Sequence, residues 1–257
     1  MAIKKIVVFG YGFVGSTVAD FLKAETEHDV VIIDPKYQHY NNDPEQALLD
    51  ADGVIICVPT PSRSFGDCDD RAIKQIIEMC DYRHNILIKS TVPYDLLDKY
   101  DVNVVYSPEF LRQNNARDDF YAQDKMIFGY ADFNESGCDW WIDIFKSGLP
   151  DVDYIKTDRA TASMVKYVHN SWLATKVAFF HELSKVGPDH IDYNELTDIL
   201  AKFPNIGPSH MKAPNNNGGL GYDGACFPKD VLALLHVMPH TILQQVHDTN
   251  KRLKEGY

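Results

Sequence analysis

Cysteine is scarce in this sequence, and its spacing matches no known framework. Five cysteines stand in 257 residues, an odd number with no CxxC pair and no histidine cluster near them. This pattern argues against a disulfide framework and against a zinc site, so we expect no bound metal. Free thiols fit a reducing compartment, and we therefore expect a cytoplasmic protein.

Positive charge and long apolar runs are also scarce. The chain has 25 Lys and Arg against 37 Asp and Glu, a net charge of −12. Nucleic acid is therefore a poor partner, because its phosphates require a basic face. No apolar stretch approaches the roughly 20 residues of a membrane span, and the first residues run into a short strand rather than a signal segment. We expect a small-molecule ligand, with no nucleic acid and no membrane as partners.

The first part of the chain repeats short apolar, β-branched runs, each followed by a polar or helical connection. This rhythm is typical of a parallel sheet covered on both faces. It predicts strands over residues 5–10, 29–34, 53–58, 85–91, 103–107, 125–131 and 153–157. Helical connections are predicted over residues 14–24, 69–80 and 136–147.

The second part of the chain is helical. Residues 160–186 contain no Gly or Pro and precede a Gly-Pro pair, which predicts one helix about 40 Å long. Shorter helices are predicted over 194–203, 231–238 and 241–255, with a loop rich in Gly, Pro and Asn over 204–228. The fold class is therefore α/β: a Rossmann-type doubly wound parallel sheet (1–157), then a smaller all-helical domain with a long central helix (158–257).

A glycine motif follows the first strand directly and opens the first helix. Gly10, Gly12 and Gly15 form a GxGxxG in the context where it binds the pyrophosphate of a dinucleotide. Asp34 ends the second strand, 24 residues after Gly10, where its carboxylate can bind ribose hydroxyls and repel a 2'-phosphate. The motif predicts NAD, bound by the turn and its flanks with Phe13 and Val14. The alternative is a glycine turn that binds no dinucleotide.

Two further groups of residues are candidates for chemistry. Lys166 and Asn170 lie four apart on the long helix and share a face, although the same spacing also fits a solvated stripe. Cys226 directly precedes a helix N-terminus, where the helix dipole and Lys229 favour a thiolate, and Asp230 follows in the first turn. Cys226 also fits a packed core thiol, and Asp230 an ordinary first-turn carboxylate.

These motifs, in this order, resemble the UDP-glucose/GDP-mannose dehydrogenase family over nearly the whole chain. The matching segments are GYGFVG (10–15), ICVPTP (56–61), KSTVP (89–93), SPEFLR (107–112), VKYVHNSWLATKVAFFHE (165–182) and GLGYDGACFPKD (219–230). The resemblance implies an NAD-dependent oxidation of a sugar C6 alcohol to a carboxylate through a cysteine thioester, with UDP-glucose as the first candidate substrate and polysaccharide precursors as the setting.

The resemblance also implies roles for individual residues. Cys226 would be the nucleophile, Lys166 and Asn170 would stabilise charge on the C6 oxygen, and Asp230 would place the hydrolytic water. Thr91 and Glu109 would line the reaction site, and Thr60 and Thr91 would lie near the nicotinamide. The implied substrate-binding residues are Phe110, Leu111, Arg112, Lys166, Asn170, Tyr222 and Gly224.

The chain departs from the family pattern at several positions. Gln113 stands where the family has a second Glu that assists thioester hydrolysis. The catalytic role implied for this position is therefore altered here, because Gln carries no carboxylate. Asp223 replaces a Gly, Asn205 an Arg and Ser163 an acidic residue. The chain also stops where the family continues into a C-terminal UDP-binding domain, which we expect it to lack.

Three functional readings remain open from the sequence. The first is an NAD-dependent nucleotide-sugar 6-dehydrogenase that dimerises through its long helix. The second is a weak or inactive relative that binds NAD and a sugar nucleotide as a sensing or assembly module. The third is a two-electron hydroxyacid dehydrogenase, which would leave the SPEFLR and CFPKD segments unexplained.

Overall fold

A computed structural model describes residues 2–40, 42–63, 66–100, 103–188, 190–215, 218–239 and 241–256. Asn216 and Asn217 of the predicted loop lie outside the described residues. By their contacts the residues form two units. The first comprises Met1–Pro61 and Cys68–Lys166, and the second comprises Ser62–Asp67 and Tyr167–Tyr257.

The first unit is built on a seven-stranded sheet. Its strands are β1 Lys5–Phe9, β2 Asp29–Ile33, β3 Gly53–Ile56, β4 Asn85–Ile88, β5 Val104–Tyr106, β6 Lys125–Tyr130 and β7 Asp153–Asp158. They lie in the order β2-β1-β3-β4-β5-β6-β7. The chain thus adds β2 on one side of β1 and β3 on the other, as in a doubly wound fold. Every predicted strand is present, and the α/β fold class is confirmed.

The direction of the last two strands differs from the prediction of an all-parallel sheet. β6 pairs antiparallel with β5 through Tyr106 and Gly129, and β7 then runs parallel to β6. Gly129 allows the start of the long helix after β7 to approach the sheet, because a Cβ there would lie 2.7 Å from the Cβ of Ala162. Apolar runs mark a strand but not its direction, so the reversal has no signal in the sequence pattern.

Helices cover both faces of this sheet. They are α1 Phe13–Glu25, α2 Pro44–Leu48, α3 Arg71–Met79, α4 Tyr94–Leu97, α5 Ala116–Ala122 and α6 Glu135–Lys146. Along β1, Ile6 and Val8 pack into one core with α1, α5 and α6, whereas Val7 and Phe9 pack into the other with α2, α3 and α4. This alternation is the period-2 geometry of a strand that is buried on both sides.

The second unit is helical. Its helices are the later part of α7 Arg159–Val186, then α8 Tyr193–Leu200, α9 Phe227–Val237 and α10 Ile242–Glu255. α7 contributes Ala174, Val177 and Ala178 to a core that α9 completes with Val231 and Leu235. α8 begins where the Asp192 carboxylate accepts hydrogen bonds from the N–H groups of Asn194 and Glu195, an N-cap.

The domain boundary stays a prediction. The sequence places it between residues 157 and 158, at the end of β7. The contacts group residues 159–166, the first turns of α7, with the sheet. Ser163 illustrates this attachment, because its buried hydroxyl donates a 2.7 Å hydrogen bond to the Val92 carbonyl.

Candidate active site

The glycine turn after β1 has the geometry that a dinucleotide phosphate needs. Gly10 has φ +93°, and a Cβ there would lie 2.7 Å from the Cys57 carbonyl oxygen, so a side chain is excluded. Gly12 is the N-cap of α1, makes no side-chain cap, and has open space within 4 Å of where its Cβ would be. A Cβ on Gly15 would collide with the Gly10 carbonyl. The first-turn N–H groups of α1 are thus left for an anion.

Residues after β2 are arranged around a fixed carboxylate. Asp34 accepts hydrogen bonds from the backbone N–H of Tyr11 (2.7 Å) and from that of Lys36 (2.9 Å). The Tyr11 ring packs against the rings of Tyr37 (5.8 Å between centroids) and Tyr40 (4.6 Å), an aromatic cluster that the sequence analysis missed. The Asp34 carboxylate fits the ribose of NAD, and the glycine turn with the open start of α1 fits its pyrophosphate.

Asp34 should make the site prefer NAD to NADP. A carboxylate fixed by two backbone N–H groups repels a 2'-phosphate, so we expect the dissociation constant of NADP to exceed that of NAD at least about tenfold. Asp34→Ala should weaken NAD binding and narrow this ratio. Asp29→Asn, at the other end of β2, is the control and should keep both constants. Calorimetry measures the dissociation constants of NAD and NADP for the wild type and for both variants, and equal affinities in the wild type would refute the role of Asp34.

The ends of β3 and β4 bring two predicted residues together. The buried Thr60 hydroxyl donates a 2.8 Å hydrogen bond to the Thr91 carbonyl. The Ser90 hydroxyl donates a second hydrogen bond to the Val58 carbonyl (2.7 Å), which also joins the segment after β4 to the segment after β3. Both threonines therefore lie at the carboxyl edge of the sheet, where ligands of doubly wound folds bind.

A buried ion pair lies at the end of β4, and the sequence analysis did not find it. Lys89, whose side chain is fully buried, pairs with the Glu109 carboxylate and donates to the Ser107 hydroxyl (3.2 Å). Lys166 at the start of α7 donates to the Glu109 backbone carbonyl and lies 5.2 Å from the centroid of the Phe110 ring. The signal for Lys89 was a charged residue directly after the apolar run Ile86–Ile88 of β4.

The segment after Glu109 is held in several ways. Phe110 and Leu111 pack partly buried against opposite cores. Arg112 is bound through Nη2 (2.6 Å) and Nε to the Asp119 carboxylate, and hydrogen bonds from Arg112 lower the pKa of Asp119. The Arg112 side chain is exposed, as is Gln113, which begins a single helical turn. Their roles at a substrate remain predictions.

In the second unit, Asn170 and Asp230 meet as direct partners. The Asn170 amide donates a 2.6 Å hydrogen bond to one oxygen of the buried Asp230 carboxylate, and Lys229 binds the other at 2.5 Å. Cys226 is the N-cap of α9 and is partly exposed, and its carbonyl accepts the Asp230 N–H at 2.9 Å. Asp230 therefore orients the Asn170 amide.

The loop before Cys226 is anchored from α10. Asn250 accepts from the Tyr222 N–H (2.6 Å) and donates to its carbonyl (3.2 Å). The Tyr222 ring is buried in the helical core, where burial raises its pKa to about 12. Asp223 pairs with Lys254 at 3.0 Å, and Gly224 has φ +83° with open space beside it. The predicted contacts of Tyr222 and Gly224 with a substrate are untested.

Two broader expectations concern metals and membranes. Within the described ranges, no three His, Cys, Asp or Glu side chains are grouped so that they could hold a metal ion. None of the helices in the described part of the chain is both long and apolar enough to cross a membrane.

Comparison with known proteins identifies the family. Residues 36–147 match the NAD binding domain, and residues 160–252 the central domain, of the UDP-glucose/GDP-mannose dehydrogenase family. The chain belongs to this family. The NAD cofactor expected from the glycine turn and Asp34 is confirmed by the match to the NAD-binding domain.

Several relatives of this dehydrogenase family resemble the chain. It is 32% identical to the UDP-glucose 6-dehydrogenase of Rickettsia conorii over 83% of this chain and 51% of that one. The chain thus spans about half the length of the curated relatives it matches. A UDP-glucose dehydrogenase structure from Pyrobaculum islandicum matches 99% of this chain and 68% of that one, with TM-score 0.80 and 23% identity.

A more distant likeness bears on the fold alone. The 3-hydroxyisobutyrate dehydrogenase of Mycobacterium tuberculosis matches 99% of this chain and 95% of its own, with TM-score 0.70 and 16% identity. The fold of this chain is therefore shared with that protein, and the fold by itself does not assign an activity.

Proposed function

We propose that the chain oxidises the C6 alcohol of a nucleotide sugar, UDP-glucose first among them, to the carboxylate through a thioester on Cys226. The observation that carries the proposal is the arrangement around Cys226 at the start of α9. There the Cys226 carbonyl binds the Asp230 N–H, and the Asp230 carboxylate fixes the Asn170 amide. A partly exposed thiol at a helix N-terminus, linked through Asp230 to a fixed amide donor, suits nucleophilic acyl chemistry.

The chain's own residues would divide the work as follows. Two NAD molecules, bound in turn by the glycine turn and Asp34, would each accept one hydride, one for each oxidation. Lys166 and Asn170 donate hydrogen bonds to the C6 oxygen and stabilise the negative charge that develops on it. The Cys226 sulfur adds to the C6 aldehyde and holds the acyl group after the second oxidation.

Hydrolysis of the thioester requires a water and a group that accepts its proton. Asp230 has both carboxylate oxygens engaged, by Asn170 and by Lys229, so it serves better to orient these groups than to take a proton. Glu109 is paired with Lys89. Gln113 can accept a hydrogen bond from water but not a proton, which makes hydrolysis the slow step.

Turnover of a panel of sugar nucleotides tests the proposed activity. Incubation with NAD and UDP-glucose, GDP-mannose or an N-acetylhexosamine derivative should generate NADH with at least one of them, and Cys226→Ala should not. NAD and sugar-nucleotide binding by calorimetry without any NADH would instead support the sensing or assembly module, the alternative that Gln113 favours.

We also propose that the chain forms a homodimer through α7. Four apolar residues recur at helical spacing along the later part of α7, and each is at least half exposed. They are Val168, Trp172, Phe179 and Val186. Apolar side chains on one exposed helix face are typical of an isologous interface, where the helix meets its own copy.

Trp172→Glu should convert the dimer to a monomer. The Trp172 side chain is 64% exposed in the single chain, and a charge at the centre of an apolar interface costs several kcal/mol through desolvation. Phe133→Glu, at a 71% exposed aromatic residue of the first unit, is the matched control and should leave the dimer intact. Light scattering at micromolar concentration measures the mass, and a monomeric wild type would refute the interface.

A further inference from the structure

The loop that leads to Cys226 has two limbs, each held by hydrogen bonds from side chains of the neighbouring helices. We define the first limb as residues 204–215 and the second limb as residues 218–226. Lys176 of α7 donates to the Ile206 carbonyl (2.7 Å), and the Tyr193 hydroxyl of α8 donates to the Met211 carbonyl (2.6 Å), both in the first limb. Asn250 holds the second limb at Tyr222.

His181 is bonded to both limbs at once. Its Nδ1 lies 2.9 Å from the Gly221 N–H in the second limb, and its Nε2 lies 2.8 Å from the Lys212 carbonyl in the first. A backbone N–H only donates, and a carbonyl only accepts. The ring is therefore neutral with its proton on Nε2, which satisfies both bonds.

The surroundings of His181 favour that neutral form. The side chain is 2% exposed, and this burial lowers its pKa, while the bond to the Lys212 carbonyl acts in the opposite direction. Among the described residues, neither ring nitrogen makes any other hydrogen bond. Both nitrogens are thus committed to the loop.

The bond to Gly221 lies close to the thiol in sequence. Gly221 has φ +81°, and a Cβ there would collide with the Asn250 side chain, so both the backbone conformation and the lack of space require glycine. Only four residues then separate Gly221 from Cys226, which is fixed to α9 through its carbonyl and the Asp230 N–H. The His181 bond therefore sets one end of a short segment whose other end is the nucleophile.

We propose that His181 is a positioning residue for Cys226, acting through its hydrogen bond to the Gly221 N–H. The inference rests on the proposed function in one respect, the role of Cys226 as nucleophile. A loosened second limb would displace the thiol, and a displacement of about 1 Å can cost on the order of 100-fold in rate.

Two amide variants separate the two bonds of His181. In His181→Asn the side-chain oxygen can stand in for Nδ1 and accept from Gly221, whereas in His181→Gln the longer side chain can stand in for Nε2 and donate to Lys212. His181→Leu removes both bonds. His247→Leu is the matched control, because His247 is half-buried on α10 and its Nδ1 has no hydrogen bond among the described residues.

Three measurements apply to each variant in the full chain. Hydrogen exchange reports the Gly221 amide, iodoacetamide labelling at pH 8 with peptide mass spectrometry reports Cys226, and NADH formation reports kcat and KM. The label is selective, because burial raises the pKa of Cys57 and Cys80 to about 12 and that of Cys138 to about 11, and Cys68 is buried.

The expected pattern divides the variants by their bond to Gly221. His181→Gln and His181→Leu should speed Gly221 exchange at least about tenfold, raise Cys226 labelling several-fold, and lower kcat about 10- to 100-fold with KM nearly unchanged. His181→Asn and His247→Leu should stay near the wild type in all three. Exchange and labelling need no turnover, so they test the inference even if no sugar nucleotide is oxidised.

Two results would overturn the inference. One is a His181→Gln variant with unchanged Gly221 exchange and Cys226 labelling. The other is His181→Asn behaving like His181→Leu in all three measurements, since that would assign the effect to the Lys212 bond or to general destabilisation. If His181→Leu fails to fold, the Asn and Gln pair alone still decides between these outcomes.

Discussion

Cys226→Ser should lower steady-state turnover by about 10⁴-fold or more and abolish any acyl adduct on the protein. A serine hydroxyl at the same position is far less nucleophilic than a thiolate, and loss of a covalent nucleophile has effects of this size. Intact-mass spectrometry of protein incubated with NAD and UDP-glucose measures the adduct. The wild type should gain the mass of the acyl group, and the variant should not.

Gln113 provides the matched comparison for that experiment. Because Gln113 cannot take a proton, the wild type should release NADH in a burst and then slow with the acyl group still on Cys226. Gln113→Glu should speed the steady state and shorten the life of the adduct while leaving the burst unchanged. A wild type that turns over steadily without an adduct, and that Gln113→Glu slows, would contradict this account of hydrolysis.

Lys89→Met should destabilise the protein by about 3–5 kcal/mol, because it leaves the Glu109 carboxylate buried without its ionic partner. At about 2–4 °C per kcal/mol for a chain of this size, Tm should fall by about 6–20 °C. Differential scanning calorimetry at pH 7 measures the change. The large loss of stability is expected because the Lys89 side chain is fully buried and that of Glu109 nearly so, which leaves the remaining carboxylate without water.

Two controls isolate the buried pair. The double variant Lys89→Met/Glu109→Gln removes both charges and should recover much of the lost Tm, since an uncharged partner is cheaper to bury. Lys125→Met breaks an ion pair with Asp124 that is exposed on both sides, and should leave Tm unchanged. A Lys89→Met variant as stable as Lys125→Met would show that the Lys89–Glu109 pair contributes little.

Much of the sheet could be predicted from the sequence, because strands buried on both faces read as apolar, β-branched runs. The long helix was equally clear from its lack of Gly and Pro. The short helices α2, α4 and α5 were missed, since four to seven residues carry too little periodic signal. The antiparallel direction of β6 depends on how its connection folds back, which no local pattern records.

The candidate site was predictable where local sequence sets local geometry. The glycine turn and the start of α9 depend on a few adjacent residues, so their motifs describe them well. The partners of buried polar groups were not predictable, because Lys89 meets Glu109 and His181 meets Lys212 and Gly221 only after the chain has folded. For Arg112, the structure adds a strong partner, Asp119, seven residues away.

The ratio of NADH formed to UDP-glucose consumed, with the protein in excess over the sugar, tests the central claim most directly. If Cys226 holds the acyl group, both oxidations precede hydrolysis, so a single turnover should yield two NADH per sugar even when the thioester is not released. One NADH per sugar, with a free aldehyde as product, would contradict the thioester and leave a simple two-electron dehydrogenase.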